Sequence, residues 1–261
     1  MLTQERHRLI LAKLQEESVV YVNDLVQYLE ASESTIRRDL SALDRKGLLN
    51  KVHGGATLIN KNSINTKDSL VDVRKNLHYD EKMKIAKKAA NLIKANDMIY
   101  IDAGTTTELM IDFIKESNAV FVTNGIVHAK KLIQKGFITY IIGGEIKLTT
   151  EAIVGVEAIN NLRKYNFTKA FLGTNGVDLV RGFTTPDISE ALVKGEAIKK
   201  SKEIYILSDS SKFNQINSIT FSEINEPIVI TTNLLDKRYK KHMKIMEVDN
   251  LWFIQLLSIQ H

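Results

Sequence analysis

The 261-residue chain contains no cysteine, which excludes a disulfide framework, a thiolate metal site and a cysteine nucleophile and makes an intracellular home the expectation. It also lacks any run of about 18 consecutive apolar residues, the length a membrane-spanning helix needs. Its start, Met1-Leu2-Thr3-Gln4-Glu5-Arg6, has no basic stretch leading into an apolar one, so a cytoplasmic protein, neither exported nor membrane-bound, is predicted. The histidines His7, His53, His78, His128, His242 and His261 show no ligand spacing, and no metal or other cofactor is expected. Internal repeats and low-complexity tracts are absent.

What is present is a composition able to bury a core: 44% apolar and 26% charged residues. The length suits a small module plus one medium domain. The formal charge of +5 is unevenly placed. Residues 1–57 hold eight Lys/Arg and eight Asp/Glu, residues 58–96 hold nine against four, and the remainder balances. Bulk charge therefore gives the N-terminal module no claim on nucleic acid. Locally, residues 34–55 carry Arg37, Arg38, Arg45, Lys46 and Lys51 against Asp39 and Asp44, so the basic character is focused.

Thr3 to Glu17 reads as a helix with Thr3 as N-cap and Ile10 and Leu14 on its buried face. Val22, Leu25, Val26 and Leu29 mark a second, short amphipathic helix. Ser32 caps a third, whose buried face is Ile36, Leu40 and Leu43 and whose stop is Gly47. Residues 48–57 read as a strand, a Gly54-Gly55 turn and a return strand, a candidate wing. Asn60 to Ser69 has linker composition. Beyond it, short apolar strands at 98–101, 119–122, 138–142, 169–172, 204–207 and 228–231 alternate with amphipathic stretches, which predicts an α/β domain built on a parallel sheet. The predicted division is a winged helix-turn-helix at 1–57, a linker at 58–75, an effector domain at 76–248 and an unassigned tail at 249–261.

Two sites follow. On the third helix Ser34, Arg37, Arg38 and Ser41 share the face opposite the apolar one. The guanidinium fork of Arg37 or Arg38 suits a guanine edge, while Ser34 and Thr35 suit phosphates. Lys51, His53, Gly54 and Gly55 of the wing are placed for a neighbouring phosphate, and Asp39, which would repel one, is read as orienting an arginine or the second helix. In the second domain Gly104, Thr105, Thr106 and Thr107 follow a strand and open a helix, offering backbone N–H groups to an anion. The alternative for this loop is simple helix capping. Asn124, Gly143 and Gly144 follow the next two strands, where open α/β sheets place ligands. Lys212 supplies a positive charge or is an ordinary surface lysine, Asn175 and Asp209 suit sugar hydroxyls, with Asp209 alternatively capping its turn, and Asp102 at the end of the first strand joins the candidate ligand-binding set.

Ser34-Thr35-Ile36-Arg37-Arg38-Asp39-Leu40, Lys46-Gly47-Leu48 and Val52-His53-Gly54-Gly55-Ala56 resemble the DeoR family of bacterial transcription repressors. So do Asp102-Ala103-Gly104-Thr105-Thr106-Thr107, Val122-Thr123-Asn124, Gly143-Gly144-Glu145 and Asp209-Ser210-Ser211-Lys212-Phe213, in order. The stretches 169–176 and 182–187 most resemble repressors of fructose-utilisation operons. Lys51 stands where the family commonly has arginine, Asn233 lies where aspartate is often found, and the tail after Val248 has no counterpart. The resemblance implies a fold similar to ribose-phosphate isomerases and CoA transferases, and a phosphorylated sugar such as fructose 1-phosphate as effector. Glu145, Lys147 and Glu151 are placed as its sugar-specific wall.

The expected function is a repressor that binds operator DNA as a homo-oligomer, dimer or tetramer, and is released by the sugar phosphate. The competing reading is a sugar-phosphate isomerase with an appended DNA module, since Asp102, Glu145, Asp209 and Lys212 are acid and base types. No spacing identifies a catalytic pair among them, so a non-enzyme is predicted.

Overall fold

A computed structural model describes residues 2–17, 19–45, 48–57, 64–66, 71–232, 234 and 236–248. The predicted helix stop at Lys46-Gly47, most of the 58–75 segment, Asn233 and the tail 249–261 lie outside the described residues. The chain divides into two units, Met1–Ser63 and Ile64–His261.

The first unit runs α1 (Thr3–Glu17), β1 (Val19–Tyr21), α2 (Val22–Leu29), α3 (Glu33–Arg45), β2 (Asn50–Val52) and β3 (Gly55–Thr57). Ile10, Leu14, Leu25, Ile36 and Leu40 come together in one core. The first helix is capped differently from the prediction: the carbonyl of Leu2 accepts from the amide of Arg6 at 3.0 Å, so Thr3 lies inside the helix. Ser32 caps α3 as its sequence predicts, with Oγ accepting from the amide of Thr35 at 3.3 Å. Strand β1 was not legible in the sequence. It pairs antiparallel with β3, which lies between β1 and β2.

The second unit begins inside the stretch read as linker. Strand β4 (Ile64–Asn65) and helix α4 (Val71–Asn76) precede α5 (Tyr79–Ala90). The alternation then follows as β5 (Met98–Ile101), α6 (Thr105–Phe113), β6 (Val120–Thr123), α7 (Ile126–Gln134) and β7 (Ile138–Ile141). A hairpin of β8 (Glu145–Lys147) and β9 (Ala152–Val154) leads to α8 (Val156–Leu162), β10 (Phe167–Gly173), β11 (Gly176–Asp178), β12 (Gly182–Thr185) and α9 (Ile188–Lys199). Strand β13 (Ser201–Leu207), a 3-10 turn at Ser210–Lys212, β14 (Ile216–Asn217), β15 (Ile219–Ser222), β16 (Ile228–Thr231), α10 (Tyr239–His242) and β17 (Lys244–Glu247) complete it.

Seven parallel strands form the central sheet in the order β17-β16-β13-β10-β5-β6-β7. All six predicted strands lie in it, and β17 is the one the sequence did not disclose. Alternation along each strand assigns residues to the two faces. Ile99, Ile101, Phe171 and Leu207 pack with α5, α6 and α7, whereas Tyr100, Ala170, Leu172 and Ile206 pack with α8, α9 and α10. Because the strands are parallel, the loops after β5, β10 and β13 share one edge of the sheet. A smaller antiparallel sheet, β11-β12-β15, and the parallel pair β4–β14 lie outside it. Among the described residues no helix is long and apolar enough to cross a membrane.

Candidate functional site

Helix α3 buries Ile36, Leu40 and Leu43, which leaves Ser34, Arg37 and Arg38 exposed and Thr35 and Ser41 partly so. Arg37 is tied one turn back to Glu33, its Nε donating to Oε1 at 2.7 Å. Such an exposed i,i+4 pair is worth only about 0.3–0.5 kcal/mol and yields to a better partner. Arg38 makes no side-chain hydrogen bond or ion pair among the described residues. Asp39 is buried and takes the guanidinium of Arg6 and, at 3.0 Å, His7 Nε2. It therefore orients an arginine of α1, not one of α3. Burial works against its charge, but the bonds from Arg6 and His7 prevail and hold the carboxyl below its ordinary value.

The wing is fastened to this helix. Lys51 Nζ donates to Ser41 Oγ at 2.7 Å, Ser41 Oγ donates to the Arg37 carbonyl at 2.7 Å, and the Lys51 amide donates to Asp44 at 3.0 Å. Lys51 and Ser41 thus engage each other as well as facing outward. The hairpin turn is His53-Gly54, with Val52 paired to Gly55, so the predicted Gly54-Gly55 turn shifts by one residue. Gly54 takes a positive φ of 82° with open space around it. Gly55 has a different reason: a Cβ there would stand 2.2 Å from the Val20 carbonyl oxygen of β1. Buried under β1, Gly55 is a packing residue and not part of a DNA-facing surface.

In the second unit, a cavity of about 600 Å³, mouth included, opens at the carboxyl ends of β5, β10 and β13. The loop after β5 gives it Asp102, Gly104, Thr105 and Thr106, the loop after β10 gives Asn175, and the loop after β13 gives Asp209 and Lys212. The first bond inside α6 runs from the Glu108 amide to the Gly104 carbonyl, at 2.8 Å. The amides of Thr105, Thr106 and Thr107 accordingly have no acceptor within the helix. Asn175 accepts from Thr185 Oγ1 at 3.2 Å, which fixes its amide group and leaves two N–H donors. Asp209 caps the 3-10 turn by accepting from the Ser211 amide at 3.1 Å while also lining the cavity, so capping does not take it away from the site.

Other predicted residues support the cavity without lining it. Asn124 accepts from the Ala103 amide at 2.8 Å. Thr107 donates to the Asp102 carbonyl at 2.6 Å and meets His128 Nε2 at 3.1 Å. Burial lowers the His128 pKa to about 4 against the pull of its bond to the Gly104 carbonyl, so a neutral ring holds this loop. Gly143 and Gly144 lie away from the cavity, and Gly144 (φ 149°) is required because a Cβ would stand 2.6 Å from the Val154 carbonyl oxygen. None of the three residues read as a sugar wall lines the main cavity. Glu145 is exposed on β8, Lys147 binds Glu190 and Asp187 at 3.0 and 3.1 Å, and Glu151 lines an adjoining smaller hollow.

Sequence reasoning missed Arg74, Lys82, Glu190 and Lys194, which line the cavity, and Glu81, which positions it. Lys82 and Lys194 had a signal. Each falls on the apolar stripe of its helix, Lys82 with Ile85, Ala86 and Ala89, Lys194 with Ala191, Ala197 and Ile198. A lysine on such a stripe costs desolvation unless something anionic meets it. Lys194 Nζ meets Asp102 and, at 3.1 Å, the Gly173 carbonyl. Burial nonetheless raises the Asp102 carboxyl above its ordinary value, with the lysine opposing. Glu81 accepts from the Ser210 amide at 2.9 Å, Ser210 Oγ at 3.0 Å and Thr232 Oγ1 at 2.8 Å, and so locks the Asp209–Lys212 loop onto α5. Four cationic side chains face three carboxylates across the lining, and Lys147 engages one of those, Glu190, from outside. The cavity is net positive and receives the positive end of α6.

Comparison with known proteins places both units. Residues 6–62 match the model of the DeoR-like helix-turn-helix domain, and residues 77–233 match that of the DeoR C terminal sensor domain. The chain belongs to the DeoR family. It is 47% identical over 234 residues to FruR of Bacillus subtilis (strain 168), an uncharacterized HTH-type transcriptional regulator, covering 89% of this chain and 92% of that one. It is 33% identical to the transcriptional regulator IolR of the same organism, over 93% and 94% of the two chains. A lactose phosphotransferase system repressor of Staphylococcus aureus (strain NCTC 8325 / PS 47) is 32% identical, over 90% and 94%. Ribose 5-phosphate isomerase A of Methanocaldococcus jannaschii is similar over 52% of this DeoR-family chain and 54% of its own, with a TM-score of 0.38 and 18% identity, a likeness too weak to carry function.

Proposed function

We propose that this protein represses a sugar-catabolic operon in the cytoplasm, holding operator DNA through α3 and the wing and releasing it when a phosphorylated sugar fills the cavity. The observation that carries the effector half is the cavity itself: a net positive lining that includes Thr105 and Thr106 at the start of α6, whose amides have no acceptor within the helix. A dianionic phosphate suits that end, and Asn175, Asp102 and Asp209 suit hydroxyls. The names of the relatives, FruR and a lactose phosphotransferase system repressor, support a sugar-linked operon, and the effector we favour is a phosphorylated hexose such as fructose 1-phosphate.

The DNA-binding module is assigned to residues 1–57. The sensor is extended back to residue 64, since β4 and α4 belong to the second unit. Two half-sites require two modules, so a homo-oligomer is the working assembly. A thermal-shift screen against hexose and pentose monophosphates, paired with a gel-shift titration on the upstream region of the protein's own gene, tests the reading. One or more sugar monophosphates should raise the melting temperature and weaken operator binding. If none does either, the sensor assignment fails.

A further inference from the structure

The cavity is walled on one side by residues of α4, the turn after it and α5, outside the short motifs singled out in the sequence. Arg74 and Leu77 line it from α4 and the turn that follows, and Lys82 lines it from α5. Lys82 is 3% exposed. Its ammonium carries three donors, yet its hydrogen bonding among the described residues is confined to the Arg74 carbonyl. An ammonium buried with so few partners is costly unless an anion completes it. Arg74 also borders the adjoining hollow of about 300 Å³, together with Ala103, Gly104 and Thr105. It therefore stands beside the start of α6, where the unbonded amides lie. Across the cavity Asp209 and Lys212 face Lys82. Burial, with Lys212 and Arg74, lowers the Lys82 pKa to about 8 against the opposing pull of Asp209.

We propose that the phosphate of the effector seats between the α6 amides and a clamp formed by Arg74 and Lys82, so that ligand binding fixes α4, the first helix after the DNA-binding unit along the chain. The proposal rests on the sensor reading above and adds the residues and the element through which the cavity reports its occupancy. A second attachment supports it. Strand β4, a few residues before α4, pairs with β14 through Ile64–Ile216 and Asn65–Asn217, and β14 follows directly on the loop that carries Asp209 and Lys212. Strand β4 is thus tied beside the loop that forms one wall of the cavity and α4 forms part of another, and an anion between Arg74, Lys82 and α6 would join α4 to the start of α6.

The test uses the full chain with fructose 1-phosphate, inorganic phosphate and, as an uncharged control, fructose. Titrations of wild type, Lys82→Met, Arg74→Leu and Lys82→Arg are combined with amide hydrogen exchange of the wild type. Both phosphate probes are expected to bind and fructose is not. Lys82→Met and Arg74→Leu should each lose tenfold or more in affinity, with Lys82→Arg restoring most of it. Exchange of residues 71–77 should slow on binding. If the wild type binds fructose 1-phosphate and both deletions bind it within twofold, the clamp is wrong while the sensor reading stands. If no sugar phosphate binds the wild type, both fall. Should Lys82→Met fail to fold, the wild-type exchange decides: slowing confined to residues 102–107 overturns the role of α4.

Discussion

Arg38 and Glu81 are the two residues whose surroundings make the sharpest statements. Arg38 is exposed on α3 and makes no side-chain hydrogen bond or ion pair among the described residues, so its fork is available at no cost in broken bonds. Replacing it with alanine should cost about 1–3 kcal/mol of operator affinity and flatten preference among bases. Quantitative gel shifts on operator and random duplex check this, and equal losses on both would remove its reading role. Glu81 is a structural counterpart. Burial opposes its charge, but bonds from His78, Ser210 and Thr232 prevail and hold its pKa at about 2, against an ordinary value of 4.5. A carboxyl depressed in this way stabilises the fold fully above pH 4.5 and loses that contribution as pH falls towards 2. That depression corresponds to roughly 3–4 kcal/mol before solvent screening reduces it. His128 acts in the same direction over a higher window. Its folded pKa of about 4 lies below the ordinary 6.5, so the unfolded chain takes up the extra proton as pH drops from 6.5 to 4. Denaturant unfolding of wild type and Glu81→Gln at several pH values should show a gap at pH 7 that narrows below pH 4.5, and a constant gap would contradict the assignment.

At the scale of elements, the wing illustrates what pattern can and cannot disclose. The spacing of Val52, Gly54 and Gly55 made a hairpin legible, but not that β3 would be the central strand of three. Strand β1 is three residues long and carries no period. Only the approach of Val20 to Gly55 shows that the second glycine is needed for packing. Gly55→Ala should therefore destabilise the first unit by about 2 kcal/mol or more, read as a lowered unfolding midpoint, whereas an unchanged midpoint would deny the close approach. The same limit governs the sensor. Helices α1, α2 and α3 carry regular hydrophobic periods and six strands of the central sheet are apolar runs, and these are legible in the sequence. Strand β17, β4 and the small antiparallel sheet are too short or too mixed to announce themselves. The site divided along that line: Gly104 to Thr106, Asn175, Asp209 and Lys212 sit at strand ends, where parallel topology alone places ligands. Arg74, Lys82 and Lys194 reach the cavity from helices, and only tertiary packing brings them there. Glu145 and Lys147 do not line the cavity; Lys147 instead pairs with Glu190, which does, and with Asp187.

For the molecule as a whole, a DeoR-like helix-turn-helix unit and a sensor unit stand in one chain, and the proposed pairing of operator and sugar phosphate regulates only if ligand and DNA affinities are coupled. Coupling of this kind is usually about 1–3 kcal/mol, or roughly 5–150-fold, and is reciprocal. The direct measurement is operator affinity by fluorescence anisotropy at fixed salt, with and without saturating fructose 1-phosphate or whichever sugar monophosphate the thermal screen identifies. The account predicts that operator binding weakens at least fivefold and that operator DNA weakens sugar-phosphate binding by the same factor. Superimposable anisotropy curves with a sugar phosphate shown to occupy the protein would contradict it.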